Sequence, residues 1–557
     1  MRKKWLSRAL AAVLTGVLAV GLLAGCGAEE KKEESKAPAA SSSAAASSSA
    51  AEVEEEYVVS YPMTGFEDVE LRVYIGGGQP LSSTQTDYAT VPFWAGFEER
   101  TGIKCTWEYP VAGADATAAY NLMLTEEDLP HIVIGYYSNS ANQAELLEDG
   151  IVFPLDEYIE EYAPDFYAFT QTEQYQTASP LFLVDGQLTS FPSFRDTPWG
   201  CTYTGPLIRQ DWLDEQGLKA PTSIEELENV ATVFNEKYNG AFIGIGASRG
   251  TSAFISGFDS QAGWGGNRTY VTKDGVVAYA NTEEATKNYL TALNKWYESG
   301  LMDPNFATAD DAYAKQINVE EKFGIGYSAI SQQTEWLNGA EAAGIGAEWV
   351  GFPEIPGKDG VAHYIQTEYS TFTGSFGCYI TNACDTEEEL KAAMAWVNYA
   401  FSEEGNLYWN FGIEGESYEI VDGAPAFTEK VTKDERGMTQ ALRDWCGASA
   451  MPVGLQMEAF VRAKNNPACG DSVDQWVSNQ DAAKYYLPGL PLTADEQSAT
   501  TDIMTAIGTY VQEQSIKFIT GDRSLDEWDA YVKEIESMGV QDALKIYNDA
   551  YARFLGK

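Results

Sequence analysis

Two histidines, His131 and His363, serve a chain of 557 residues. That scarcity starves most metal sites and most acid–base schemes, which lean on imidazole. One enzyme-like pattern is present: Gly246-Ala247-Ser248-Arg249-Gly250 fits G-x-S-x-G, and "AFIGIG" leading into it reads as a strand. A nucleophile elbow needs that strand–turn–helix setting, then an acid and a histidine further along. His363 is the one available base. A Gly-rich strand-to-helix turn accounts for the same residues without chemistry and is the preferred reading. Facing carboxylates offer glycoside cleavage instead. The chain holds 83 acidic side chains, and no pair stands out from that background. Gly76-Gly77-Gly78 lacks the Gly-Lys-Ser/Thr of a phosphate loop. It remains a loop able to present backbone amides to a polar ligand. Cys105, Cys201, Cys378, Cys384, Cys446 and Cys469 form no C-x-x-C pair, so no zinc site, other metal or cofactor is expected. Disulfides and unpaired buried thiols both fit their spacing.

The seventh cysteine, Cys26, stands apart. Arg2, Lys3, Lys4 and Arg8 precede an apolar run over residues 9–24, too short for a comfortable bilayer span. Residues 1–25 therefore read as a secretion signal. Leu23-Ala24-Gly25-Cys26 resembles the bacterial lipobox, which implies lipidation of Cys26 and a membrane anchor on the extracellular face. An ordinary cleavage site with a chance cysteine is the alternative. Residues 26–65, rich in Ser, Ala and Glu, read as a flexible tether.

The formal net charge is −47. So acidic a surface repels phosphate backbones and favours a soluble monomer, so nucleic acid is not an expected partner. Aromatic residues make up 13% of the chain. Before any ligand role is assigned, helical spacing makes most of them core.

The folded body is expected from residue 66. "VELRVYI" (69–75) alternates as a strand. Thr90 is placed to cap a helix through Arg100, with Phe93, Trp94 and Phe97 on one face and Gly102 after its end. "CTWEYP" and "HIVIGYY" read as further strands. Thr222-Ser223-Ile224-Glu225, Thr386 with Glu389 and Ser524 with Glu527 mark helix starts as capping boxes. The alternation of strand, helix and strand predicts an α/β body with sheets covered by helices. No repeat of fixed period is present.

Several segments together are similar to one family, the bacterial extracellular solute-binding proteins of the sugar type. They are "LIRQDWLDEQGLKAPTSIEELENV" (207–230), "NYLTALNKWYESGLMDPNF" (288–306), "NFGIEGESYEIVDGAPAFT" (410–428), "LPGLPLTADE" (487–496) and "YVQEQSIKFITGDRSLDEWDAYVKEIESMG" (510–539). The third and fourth resemble the long, LplA-like subfamily. The resemblance implies a type II periplasmic-binding-protein-like fold: two α/β lobes of mixed sheets joined by crossing segments, with solute in the cleft. It implies delivery of a carbohydrate, of oligosaccharide length, to the permease subunits of an ABC importer, with no catalysis. A surface-anchored glycan hydrolase and a peptide- or amino-acid-binding relative are the alternatives. Crossings are expected near 199–208 and 371–379, with a return near 323–327. The first lobe would take 66–200 plus 326–372, the second 206–325 plus 376–557. Many long members carry an Asp/Asn-rich calcium loop where this chain reads "NEKYNGAFIG" (235–244), so calcium is not expected there.

A sugar site combines aromatic platforms with hydrogen-bonding side chains. Family placement gives Gln79 after the first strand and Tyr136, Tyr137, Ser138 and Asn139 after "HIVIG". It gives Trp199 and Tyr203 at the first crossing. The second lobe adds Phe258, Asp259 and Trp264 from "GFDSQAGWGGN" (257–267), the flanking glycines placing Trp264 on an exposed loop. Tyr327, Glu368 and Tyr369 complete the expected set. His131 is read as a strand-start residue.

Overall fold

The computed structural model describes residues 57–76, 81–111, 114–135, 140–245, 250–265, 268–363, 372–449, 453–479, 481, 485–490 and 492–557. The strands are β1 (Glu70–Ile75), β2 (Lys104–Glu108), β3 (Ile132–Ile134), β4 (Phe191–Arg195), β5 (Thr204–Arg209), β6 (Phe242–Gly244), β7 (Thr269–Val271), β8 (Val277–Tyr279), β9 (Phe323–Ala329), β10 (Trp349–Gly351), β11 (Phe372–Ile380), β12 (Tyr418–Val421), β13 (Ala424–Phe427) and β14 (Leu455–Gln456). Six of them build one sheet in the order β14-β4-β11-β3-β1-β2, and four build a second in the order β10-β5-β9-β6. Two hairpins, β7–β8 and β12–β13, stand outside these sheets.

The alternation seen in "VELRVYI" has a physical outcome. Leu71 and Val73 of β1 are fully buried, and β1 pairs in parallel with β2 and β3. The helix Pro92–Thr101 covers this sheet. It begins two residues after Thr90, whose hydroxyl donates back to the Asp87 carbonyl at 2.7 Å. Pro92 opens the first turn, where a missing N–H costs nothing. The helix ends, as expected, at Gly102 in the left-handed region (φ 73°). Its Phe93, Trp94 and Phe97 pack against Trp396 and Trp409.

The capping signals differ in detail. Thr386 and Glu389 form a reciprocal capping box on the helix Glu387–Tyr399. On the helix Ile224–Lys237 the cap shifts by one residue. Ser223 accepts from the Glu226 N–H, and Glu226 reaches back to the Thr222 N–H and hydroxyl. Ser524 caps a short 3-10 turn, Leu525–Glu527, that leads into the helix Trp528–Ser537.

Two cores follow from the two sheets. The first joins the six-stranded sheet to helices of residues 387–464 and to one face of the second sheet. The other face of the second sheet packs on the helices Ile224–Lys237, Glu284–Glu298 and Ala494–Thr520. Gly205 of β5 shows how closely the helix Pro467–Val477 approaches: a Cβ there would lie 2.4 Å from the Trp476 ring.

Strand partners correct the expected borders. Residues from 326 were expected in the first lobe, yet β9 lies inside the four-stranded sheet. Residues from 376 were expected in the second, yet β11 and β14 belong to the six-stranded sheet. Hydrogen bonding decides this: β11 pairs with β3 and β4, and β9 with β5 and β6. Such partners are remote in sequence and invisible to local pattern. All six cysteines of the described residues are free thiols. Among the described residues no helix is long and apolar enough to cross a membrane.

Candidate functional site

Topology links one end of each sheet through the chain. β1 and β3 run parallel, β4 runs with them, and β11 runs against them. The ends of β1, β3 and β4 therefore share an edge with the start of β11. In the second sheet, the ends of β6, β9 and β10 share an edge with the start of β5. The chain passes from β4 to β5 and from β10 to β11, joining those two edges both times. Open α/β sheets receive ligands outside the carboxyl ends of their strands.

Gln79, Tyr136, Tyr137, Ser138, Asn139, Glu368 and Tyr369 lie outside the described residues, as does Ser248 of the G-x-S-x-G pattern. Trp199 and Tyr203 stand on the β4-to-β5 passage. Trp199 is half-buried. Its indole N–H donates to Asp474 at 2.8 Å, and the Arg462 guanidinium sits 4.0 Å above the ring centre. One ring face is thus taken by protein. Tyr203 is half-buried, and its carbonyl accepts from the Ile330 N–H at 3.1 Å, tying the passage to the end of β9.

Two expected contacts, Trp264 and Tyr327, are corrected by their burial, and a third, Phe258, is half-buried. Trp264 is 0% exposed, edge-on to Phe306 at 5.1 Å. Its backbone N–H donates to the Thr251 carbonyl, and the flanking glycines serve close approach to Thr251 rather than exposure. Phe258, half-buried, packs against Tyr289 and Trp296. Tyr327 is buried, and its hydroxyl donates to Glu354 at 2.6 Å. His131 takes its strand-start place: Nδ1 accepts from the Arg72 N–H at 2.9 Å, and burial holds its pKa down.

Tyr327 lines a small cavity of about 30 Å³ beside β6 and β9, and Asp259 lines a larger one. The space measures about 520 Å³ and lies beside the β10-to-β11 passage. Ser256, Asp259 and Gln261 form one wall, and Tyr270, Thr272, Lys273 and Asp274 of the β7–β8 hairpin another. Glu283, the passage residues Lys358, Asp359 and His363, and Tyr485 complete it. Asp259 adopts a positive φ of 57°. It accepts the Lys358 N–H at 3.1 Å and pairs with the Lys358 ammonium at 3.4 Å. His363 Nε2 lies 2.6 Å from Asp359, and its ring meets Tyr485 edge-on at 5.2 Å. The Tyr270 hydroxyl donates to Glu283, whose carboxyl pKa is raised by burial. Tyr270 and Tyr485 stand edge to face with centroids 6.3 Å apart.

A volume in this range holds a small ligand. Carboxylates accept strongly from hydroxyl groups, and tyrosine rings offer apolar faces. Sequence reasoning anticipated Asp259 and weighed His363 only as a base. It missed Tyr270, Lys273, Asp274, Glu283, Lys358, Asp359 and Tyr485, because polar residues on a hairpin and a passage leave no periodic signal.

Among the described residues no group of three or more His, Cys, Asp or Glu is placed to hold a metal ion. The segment where long relatives carry a calcium loop does not fit calcium. Asn235 donates to the Gly300 carbonyl at 3.0 Å, and the Lys322 ammonium donates to the Asn239 carbonyl at 3.2 Å.

The family model for bacterial extracellular solute-binding proteins matches residues 82–407. Lipoprotein LipO of Bacillus subtilis is 24% identical over 374 residues, covering 64% of this chain and 69% of LipO. The fructooligosaccharide ABC transporter substrate-binding protein FusA of Streptococcus pneumoniae serotype 4 is 22% identical over 511 residues, covering 82% of this chain and 86% of FusA. The solved structure of FusA in complex with kestose matches 88% of this chain and 100% of that chain with a TM-score of 0.68 at 18% identity, a likeness of fold.

Proposed function

The chain belongs to the bacterial extracellular solute-binding proteins, and on that premise we propose a lipid-anchored receptor that hands a carbohydrate of oligosaccharide length to an ABC importer. Its α/β fold is the type II solute-binding fold of its structural neighbours. The cavity beside the β10-to-β11 passage carries the proposal: a space of about 520 Å³ whose walls combine carboxylates, amide and hydroxyl groups with two tyrosine rings. That chemistry suits sugar hydroxyls. FusA, named for fructooligosaccharide, supports the same ligand class.

The six-stranded and four-stranded sheets, each with its helices, act as two lobes. Ligand held by one lobe gains contacts from the other and shifts the population toward a closed form, the form read by the permease. Asp259, Trp199 and Tyr203 contact the ligand. Gln79, Tyr136, Tyr137, Ser138, Asn139, Glu368 and Tyr369, which in the chain follow β1 and β3 or precede β11, supply further contacts. The mechanism is closure without chemistry, so the sugar leaves intact. Cys26 carries the anchor, in keeping with the resemblance to LipO.

A melting-temperature screen across mono-, di- and oligosaccharides, short peptides and amino acids tests the reading, because a ligand that binds only the folded state raises its melting temperature. A rise with an oligosaccharide that chromatography then recovers uncleaved is expected. A rise with peptides alone, or recovery of sugar fragments, sinks it.

A further inference from the structure

Charge around the cavity points to the kind of sugar it admits. Four carboxylates face the space: Asp259, Asp274, Glu283 and Asp359. Two ammonium groups, Lys273 and Lys358, oppose them. Lys358 already has Asp259 at 3.4 Å. Lys273 is exposed at the hairpin turn, next to Asp274 in the chain. Asp274 is exposed too and makes no ion pair among the described residues. His363 gives its ring nitrogen to Asp359 at 2.6 Å. Asp259 and Asp359 are engaged in the same contacts, and Glu283 with the Tyr270 hydroxyl, so what remains is the excess of four carboxylates over two ammonium groups.

We propose that this cavity selects neutral sugar units and rejects uronates. The inference rests on the carbohydrate reading above and narrows it. A neutral sugar brings only hydroxyl donors, each of which can make a charge-assisted bond to a carboxylate. A uronate brings a carboxylate into a space already lined by four, against two ammonium groups. Like charges brought close together repel, and the carboxylates outnumber the cations that could offset them. Among the described residues no arginine lines the space to offer the planar fork that carboxylate recognition favours. The net charge of −47 adds repulsion at longer range, before the ligand reaches the cavity.

Calorimetric titration of the full chain with maltotriose, cellotriose, 1-kestose and trigalacturonate, at one pH and ionic strength, tests the inference. At least one neutral trisaccharide is expected to bind, with trigalacturonate a hundredfold or more weaker. The double variant Asp274→Asn, Glu283→Gln should close that gap at least tenfold, since it removes two of the four charges while keeping hydrogen-bond acceptors. Trigalacturonate binding within tenfold of the best neutral trisaccharide overturns the charge selection and leaves the carbohydrate reading standing. A gap unchanged in the double variant also overturns it, because the cavity carboxylates would not be its source. Binding by none of the four, with peptides raising the melting temperature in the wider screen, removes the carbohydrate reading and this inference with it.

Discussion

The Tyr327 hydroxyl donates to the Glu354 carboxyl across 2.6 Å, deep in the second sheet's core. Glu354 follows β10 at the root of the passage toward the first sheet. The Asn479 amide holds its backbone carbonyl at 2.7 Å. Burial pushes the Glu354 pKa up to about 7, with the Tyr327 bond pulling the other way. In the unfolded chain the same group titrates near 4.5. Between those values the unfolded state releases a proton that the folded state keeps, so stability falls as pH rises. The full loss is roughly 3 kcal/mol. Glu354→Gln keeps an acceptor for Tyr327 and carries no charge. Urea unfolding from pH 4.5 to 8 should show wild type losing stability relative to this variant. Parallel profiles for the two proteins would exclude Glu354 as the group responsible.

Trp264 was expected to stack on solute and instead fills the core. Trp264→Ala should destabilise the fold by about 3–5 kcal/mol, the usual cost of emptying a buried aromatic site. Denaturant midpoints measure this directly. Unchanged stability together with lost sugar affinity would return Trp264 to the binding site.

Lys322 stands in for a metal at the segment after the helix Ile224–Lys237. The melting temperature should be the same in millimolar calcium and in excess chelator. Lys322→Ala should lower stability by about 1 kcal/mol or less, the size of a partly exposed hydrogen bond. A clear rise in melting temperature with calcium would contradict the assignment.

Cys26→Ala should leave sugar affinity unchanged while removing the anchor. Fractionation should find the variant in the medium or as unprocessed precursor. Retention of the mature variant in the membrane fraction would place the anchor elsewhere in the chain and remove Cys26 from that role.

What the sequence reveals depends on how local the governing physics is. Thr386 and Glu389 announce their helix because the capping box spans four residues. Gly102 announces the end of another because its φ of 73° suits glycine. Leu71 and Val73 alternate because one face of β1 must be buried. The failures are non-local. Trp264 is buried by Phe306 and Thr251, neither of which its own neighbours reveal. The lobe borders failed because β11 chooses partners at β3 and β4, far upstream. The cavity was mostly missed because Tyr270, Glu283, His363 and Tyr485 meet only after three remote segments converge.

The place of β11 has a consequence for biogenesis. It sits between β4 and β3 in the middle of the six-stranded sheet, so those earlier strands do not pair with each other. Until residues 372–380 arrive, the N-terminal part of the chain holds the pairing β3-β1-β2 on one side and β4 alone on the other, with no strand to join them. Closing so long a loop is slow, because its entropy must be spent before the pairing returns anything. The six-stranded sheet therefore closes only after residue 380, about two thirds of the way along the chain.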